Sequence, residues 1–428
     1  MMFLNGALAA RVFLSFAAGY LLSYAFRSIN AVIAPSLLAD LGLSNADLGL
    51  LSAAYFLSFA CLQLPLGIWL DKYGPRKIEA ALLLIAALGA AIFASSTSLA
   101  GLWLGRALIG IGVSACLMAP YKAFRIWYAP EQQAQLASWM LVAGSAGALL
   151  STVPVSAALP FIGWRGVFWI MAGMVALAAT MIFIVLKRAE EAHAKSRSPT
   201  DPQPDAGNSG YGHIFRNAYF RRLALLGLVC SGSFSAMHTL WAGPWMVTVL
   251  GISRPQTAQI LFAFNLCMML SYVALSWWAP RQIFREGRPG APATRAIAIG
   301  LLGAIIVQTA MVTLHAGWAW IFWIPFAGFI TVTTVVQTSV SLSFPTALAG
   351  RANSAYNLMV FIGIFTVQWG IGVLIDTFEG FGANSSTAMR AAFAVCIALQ
   401  AAALIAFLLN PAQPAHAAHA AHAQSEQI

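Results

Sequence analysis

Charge is what this sequence lacks most. Asp, Glu, Lys and Arg make up 8% of its 428 residues while 60% are hydrophobic, whereas an ordinary soluble protein carries roughly a quarter of its positions as charges. A surface so poor in charge cannot be wetted, which excludes a water-soluble globular protein. The short alternating segments of a membrane barrel are missing too, because the apolar runs are long, rich in Ala, Leu, Gly and Met, and do not alternate. Each run is long enough to cross a hydrocarbon core of about 30 Å, which takes roughly 20 helical residues. A signal-peptide cleavage site is also wanting: the apolar stretch behind Arg11 continues past Tyr20, Tyr24 and Arg27 to Ala34, so it reads as a first span. Signals for catalysis are absent as well. No nucleophile-base-acid set, metal-ligand spacing or phosphate-binding loop falls within the spans, and the loops are too short for a separate catalytic domain, so neither an enzyme nor a cofactor is expected. The five cysteines, Cys61, Cys116, Cys230, Cys267 and Cys396, all lie in apolar runs and read as small buried side chains rather than disulfide partners.

The charges that are present sit between the apolar runs. A formal net charge of +10 on its own would suit a nucleic-acid partner, but its distribution is that of membrane topology. With the N-terminus inside, the inner loops collect Lys72, Arg76 and Lys77, then Lys187 and Arg188, Arg216, Arg221 and Arg222, and Arg281, Arg285 and Arg288, whereas the outer loops hold only Arg165, Arg254 and Arg390. This positive-inside bias places both termini in the cytoplasm of a cell whose inner membrane holds the protein, with lipid rather than nucleic acid around it.

About twelve spans follow from the run lengths. They start near Val12, Leu48, Lys77, Leu102, Leu136 and Val167, and again near Leu223, Thr257, Ala296, Trp318, Tyr356 and Ala391. The expected fold is all-α and integral to the membrane: a six-helix bundle over residues 1–189, a cytoplasmic linker over 190–215, a second bundle over 216–410 and a disordered cytoplasmic tail over 411–428. The linker, with Ser-Arg-Ser-Pro-Thr-Asp-Pro-Gln-Pro-Asp, has no apolar period. The tail carries His416, His419 and His422; without a thiol or carboxylate beside them, a solvated low-complexity segment is the simpler reading than a metal tether. Weak repetition relates the halves: Asp47-Leu-Gly-Leu-Leu-Ser opens span two and Thr257-Ala-Gln-Ile-Leu opens span eight, each after a Gly- and Ser-containing turn. Parallel repeats with a midplane cavity are a common transporter plan.

After span two the chain reads Gly67-Ile-Trp-Leu-Asp71-Lys72-Tyr73-Gly74-Pro75-Arg76-Lys77. This resembles the signature loop between helices two and three of the major facilitator superfamily, with Pro75 in place of the first basic residue. Gly67 allows close packing and Gly74 a tight turn, while Asp71 can meet basic side chains or a helix N-terminus. Gly105-Arg106-Ala-Leu-Ile-Gly110-Ile-Gly112 in span four is similar to the family's Arg-x-x-x-Gly-x-Gly pattern. The resemblance implies the major facilitator fold and makes Gly67, Asp71, Lys72, Gly74, Arg76, Arg106 and Gly110 a conformational set rather than solute contacts. Within the family, Tyr24-Ala-Phe-Arg27-Ser-Ile-Asn30, followed by an apolar stretch and Pro35, is similar to the anion:cation symporter branch, except that Phe26 stands where that branch often has a carboxylate. The glycine-proline pattern of drug antiporters and the paired Gly-rich signature of nitrate porters are absent.

Among ionisable residues, Arg27, Arg106 and His238 read as deep, and every Asp and Glu as lying in a loop or at a span end. An electropositive interior suits an anionic solute, whose oxygens accept the arginine fork. Tyr20, Ser23, Tyr24, Arg27 and Asn30 share one helical face, so Arg27 is a candidate solute contact, with a structural hydrogen-bonded arginine as the alternative. Further candidate contacts are Tyr55, His238, Trp241, Asn265, Asn357 and Gln368, for each of which interhelical hydrogen bonding is the competing role. Tyr356, Gln63 and Gln337 are weaker candidates of the same kind. His238 is either a proton carrier or a packed histidine. The leading reading is a monomeric secondary transporter of a small organic anion, working by alternating access and coupled to a proton or another cation. Two alternatives stand beside it: a copper importer of the same fold, using Met237, His238, Met246, Cys267, Met268 and Met269, and a transporter-like sensor.

Overall fold

Apolar runs punctuated by Gly, Pro and charged residues become helices, and no strand occurs among the described residues. The structure is a computed structural model and describes residues 6–128, 130–196, 211–283, 291–344 and 346–410. Among these residues, ten helices are long and apolar enough to cross a membrane. Spans one, two, three and six are Gly6–Ser28, Asn45–Leu70, Lys72–Ser95 and Val153–Glu191. Spans seven to twelve are Ala218–Val249, Arg254–Leu275, Ala291–Thr313, Gly317–Leu342, Leu348–Gly380 and Ser385–Leu409. The shorter apolar helices Leu99–Gly112 and Trp139–Leu150 stand in the places of spans four and five. The protein is thus an all-α integral membrane protein, as its run lengths require.

Local chemistry sets the breaks. Ser44 and Asp47 form a capping box that starts span two, the Ser44 hydroxyl accepting from the Asp47 amide at 3.0 Å and the Asp47 carboxylate accepting from the Ser44 amide at 3.1 Å. The helical run Asn45–Ser95 that carries spans two and three breaks at Gly74, whose φ of 80° is open to glycine and lets the chain turn. The helix of span six does not stop at the expected linker boundary. It runs to Ser196, and Glu190 accepts from Arg76 Nε at 2.6 Å, so the first residues assigned to the linker are ordered and tied to the loop motif. The expected disorder of the rest of the linker and of the histidine-bearing tail falls mostly outside the described residues.

The chain forms two compact units, one from Met1–Ala206 with Arg254–Phe262 and the other from Gly207–Ser253 with Ala263–Ile428. In the first, span one packs on spans five and six, and span three on spans four and six. In the second, span seven packs on span eleven, and span nine on spans ten and twelve. Each unit uses glycine at the equivalent contact. A Cβ on Gly147 of span five would collide with the Leu21 carbonyl of span one, and a Cβ on Gly363 of span eleven with the Leu228 carbonyl of span seven. At these positions a glycine lets two helix backbones come together, as small residues do at helix interfaces in membranes.

Candidate functional site

In the first unit Arg27 ends span one with its guanidinium half-buried among aromatic faces. Its central carbon lies 4.6 Å from the ring centre of Tyr24, 5.7 Å from Phe59 and 5.8 Å from Phe56. Tyr24 meets Tyr20 edge-on at 5.0 Å, and both rings press against Gly144 of span five, where a Cβ would come within 2.7 Å of Tyr20 and 3.1 Å of Tyr24. Tyr55, 1% exposed, donates to the Ser23 carbonyl at 3.3 Å and stacks on Phe59. Arg27, Tyr24 and Tyr55 are therefore brought together. Phe56 and Phe59 complete the cup; nothing in the sequence marks them, because phenylalanines in a span are ordinarily filler.

Arg106 is the contrasting case. It is fully buried, donates to the Phe26 carbonyl at 3.2 Å and to the Asn30 side chain, and lies between the rings of Phe93 and Phe168 at 4.6 and 4.9 Å. This is the structural role its motif implies. Asn30, expected as a solute contact, is engaged by that arginine and by Ser52 Oγ, to which it donates at 2.9 Å; it is 3% exposed. Of the loop motif, Gly67 does not serve the expected close packing, being exposed with open space where a Cβ would stand; Lys72 lies at the start of span three, Gly74 makes the turn, Arg76 binds Glu190, and Gly110 packs against the Tyr55 carbonyl. The Asp71 side chain lies outside what is described.

One expectation is overturned. Glu79 is not a wet span-end residue: four residues after Pro75, a full turn into the helix, it is completely buried. The sequence hid it because the basic cluster at Arg76 and Lys77 reads as loop, whereas Pro75 already begins the helix.

In the second unit, span seven contains three π-helical turns, at Gly227–Ser231, Met237–Trp241 and Trp245–Val249. Such wide turns are frequent at functional positions. The middle one holds His238, whose Nδ1 is 3.1 Å from the Phe234 carbonyl and whose ring lies 5.9 Å from Phe264. Trp241 and Gln368 are fully buried: the indole donates to the Gln368 carbonyl at 3.1 Å, and the Gln368 amide donates to Thr239 Oγ1 at 3.0 Å. They join span seven to span eleven. Asn357 is partly exposed and accepts from Gln337 at 3.3 Å, while Asn265 is 4% exposed. Arg390, assigned to an outer loop by its charge, is 8% exposed and caps span nine by donating to the Val312 and Leu314 carbonyls. Among the described residues no three His, Cys, Asp or Glu side chains gather where a metal ion could be held.

The sequence profile of the Major Facilitator Superfamily matches residues 16–367. The chain belongs to this family. It is 25% identical to the hexuronate transporter of Escherichia coli K12 over 279 residues, which are 60% of this chain and 62% of that protein, less than two thirds of its length. It is 24% identical to the galacturonate transporter of Dickeya chrysanthemi over 60% of this chain and 79% of that one. The crystal structure of a bacterial homolog of the human lysosomal transporter Spinster, inward-facing and occupied, shares the fold with a TM-score of 0.72 at 17% identity, covering 95% of this chain and 97% of that chain. The family and these relatives are transporters rather than enzymes, and the span-one resemblance to anion:cation symporters accords with relatives named for sugar acids. Neither of those two relatives is named for copper.

Proposed function

We propose that the protein is a secondary active transporter that carries a small organic acid of the sugar-acid class through the cell membrane by alternating access, as a monomer and together with protons. The observation that carries this reading is the Arg27 cup. A planar cation half-buried at the end of an apolar span and ringed by Tyr24, Phe56 and Phe59 matches a carboxylate in charge and geometry. The flat ring faces around it suit the carbon skeleton of a sugar acid, and the relatives named for hexuronate and galacturonate support that class. The excess of Lys and Arg in alternate loops supports cytoplasmic termini and an inner-membrane location.

The test is uptake of labelled galacturonate by proteoliposomes holding the purified protein. Saturable uptake competed by glucuronate but not by glucose or galactose is expected. Uptake of neutral sugars alone, or none of any acid, overturns the proposal.

A further inference from the structure

The first unit contains a carboxyl group that nothing around it explains. Glu79 is completely buried, and neither side-chain oxygen has a hydrogen-bond partner. It faces span one at Gly19, where a Cβ would stand 3.2 Å from Oε1 and 3.6 Å from Ile182 Cδ1 of span six and Leu83 Cδ1 of its own helix. Among the described residues the buried Cys116 thiol, in the turn that follows span four, is the one titratable side chain that interacts with it electrostatically. No other titratable or charged group faces it among the described residues: span one presents glycine, span six isoleucine, and Arg76, one turn earlier on span three, is engaged by Glu190.

An ionised carboxylate in such a place, without cation or donor, costs many kcal/mol, and the group takes up a proton instead. A structural acid would be paired, and a filler residue would be apolar. We propose that Glu79 is a proton-binding site of this protein, loaded in the arrangement seen here and emptied when span one shifts away from it and admits water or a donor. Its setting suits a switch. The contact with span one is through a glycine, so a small displacement of that helix opens the space beside Oε1. Arg27 lies eight residues further along the same helix, about 12 Å of rise, too far to neutralise Glu79 directly yet on the same rigid element. Proton and anion then occupy separate places in one unit, linked by span one. The assignment as the coupling proton rests on the transport reading above; the binding of a proton does not.

Two measurements on full-length protein separate these. Infrared difference spectroscopy of the purified protein across a pH titration is expected to show a protonated carboxyl band that disappears in Glu79→Gln, an isosteric change that mimics the loaded state and keeps the fold. Gly19→Ser, which places a hydroxyl donor beside Oε1, is expected to stabilise the ionised form and move the midpoint of that band to lower pH. In proteoliposomes, Glu79→Gln is expected to lose galacturonate accumulation driven by an inward proton gradient while keeping galacturonate-for-galacturonate exchange. A band that survives in Glu79→Gln, or that never appears, overturns the proton site. Unaltered gradient-driven accumulation in Glu79→Gln overturns the coupling role. If wild-type protein moves no galacturonate, the proposed function fails, and the infrared titration still decides the fate of the proton site.

Discussion

Two arginines of similar legibility diverge at the scale of single residues. Arg27 and Arg106 both stand in apolar sequence, but Arg106 is closed off by Phe26, Asn30, Phe93 and Phe168, while Arg27 keeps an open side. For Arg27→Lys, binding of galacturonate is expected to weaken despite the retained charge, because an ammonium cannot make a planar bidentate contact. Arg27→Gln should be worse, losing about 2–5 kcal/mol, or roughly 30-fold to several thousand-fold in affinity. Calorimetry on folded protein reads this; unchanged affinity in Arg27→Gln means the anion binds elsewhere. Asn30→Ala gives the opposite pattern. It strips an acceptor from a buried guanidinium, so the thermal transition should fall in line with about 1–3 kcal/mol while galacturonate affinity holds. A lost affinity with an unmoved transition would return Asn30 to the binding set.

Helices are held together by what they leave out. Gly147 and Gly363 let spans five and eleven touch the backbones of spans one and seven, and side chains there have nowhere to go because the colliding atoms are main-chain carbonyls. Gly147→Val and Gly363→Val are each expected to destabilise by about 1–3 kcal/mol or more, seen as a lower melting temperature and poorer recovery in detergent. Equal tolerance of both would mean the units repack freely. The Gly147 change should also disturb galacturonate binding, since Tyr24, which leans on neighbouring Gly144 together with Tyr20, lines the Arg27 cup. The Gly363 change has no such route. The two glycines stand plainly in the sequence, but their partners do not, because spacing along one helix says nothing about which backbone it will meet.

For the whole molecule, topology is the property most exposed to test. In intact cells, a single cysteine introduced at Ser198, in a background lacking the five native cysteines, should resist a membrane-impermeant thiol reagent and react after permeabilisation. One introduced at Ser385, at the start of span twelve on the expected outer side, should react directly. Labelling of the first in sealed cells would invert the proposed orientation. The pairing of Arg76 with Glu190 bears on the same region, because it fastens the loop motif to the end of span six within the first unit. The linker therefore begins later than the charge pattern implies. Glu190 looked like linker because it follows a basic pair, yet Arg76 holds it and the helix continues past it to Ser196.

Membrane class, helix number and family were properties of the chain alone. Hydrocarbon thickness sets span length, and the cost of moving charge through lipid sets where Lys and Arg are found, so both are written linearly in composition. The signature loop after span two was legible for the same reason, since a turn motif is local. Which polar side chains engage one another was decided only by the tertiary structure. Asn30 on Arg106, Gln368 on Thr239, and Arg390 on the end of span nine are pairings across helices distant in sequence. Glu79 was the plainest example: its position after Lys77 suggested a wet helix end, and only the packing of spans one and six beside it makes it a buried acid. A residue's type states what it can donate, accept or titrate, but burial and neighbours, which arise from contacts far along the chain, determine whether it does.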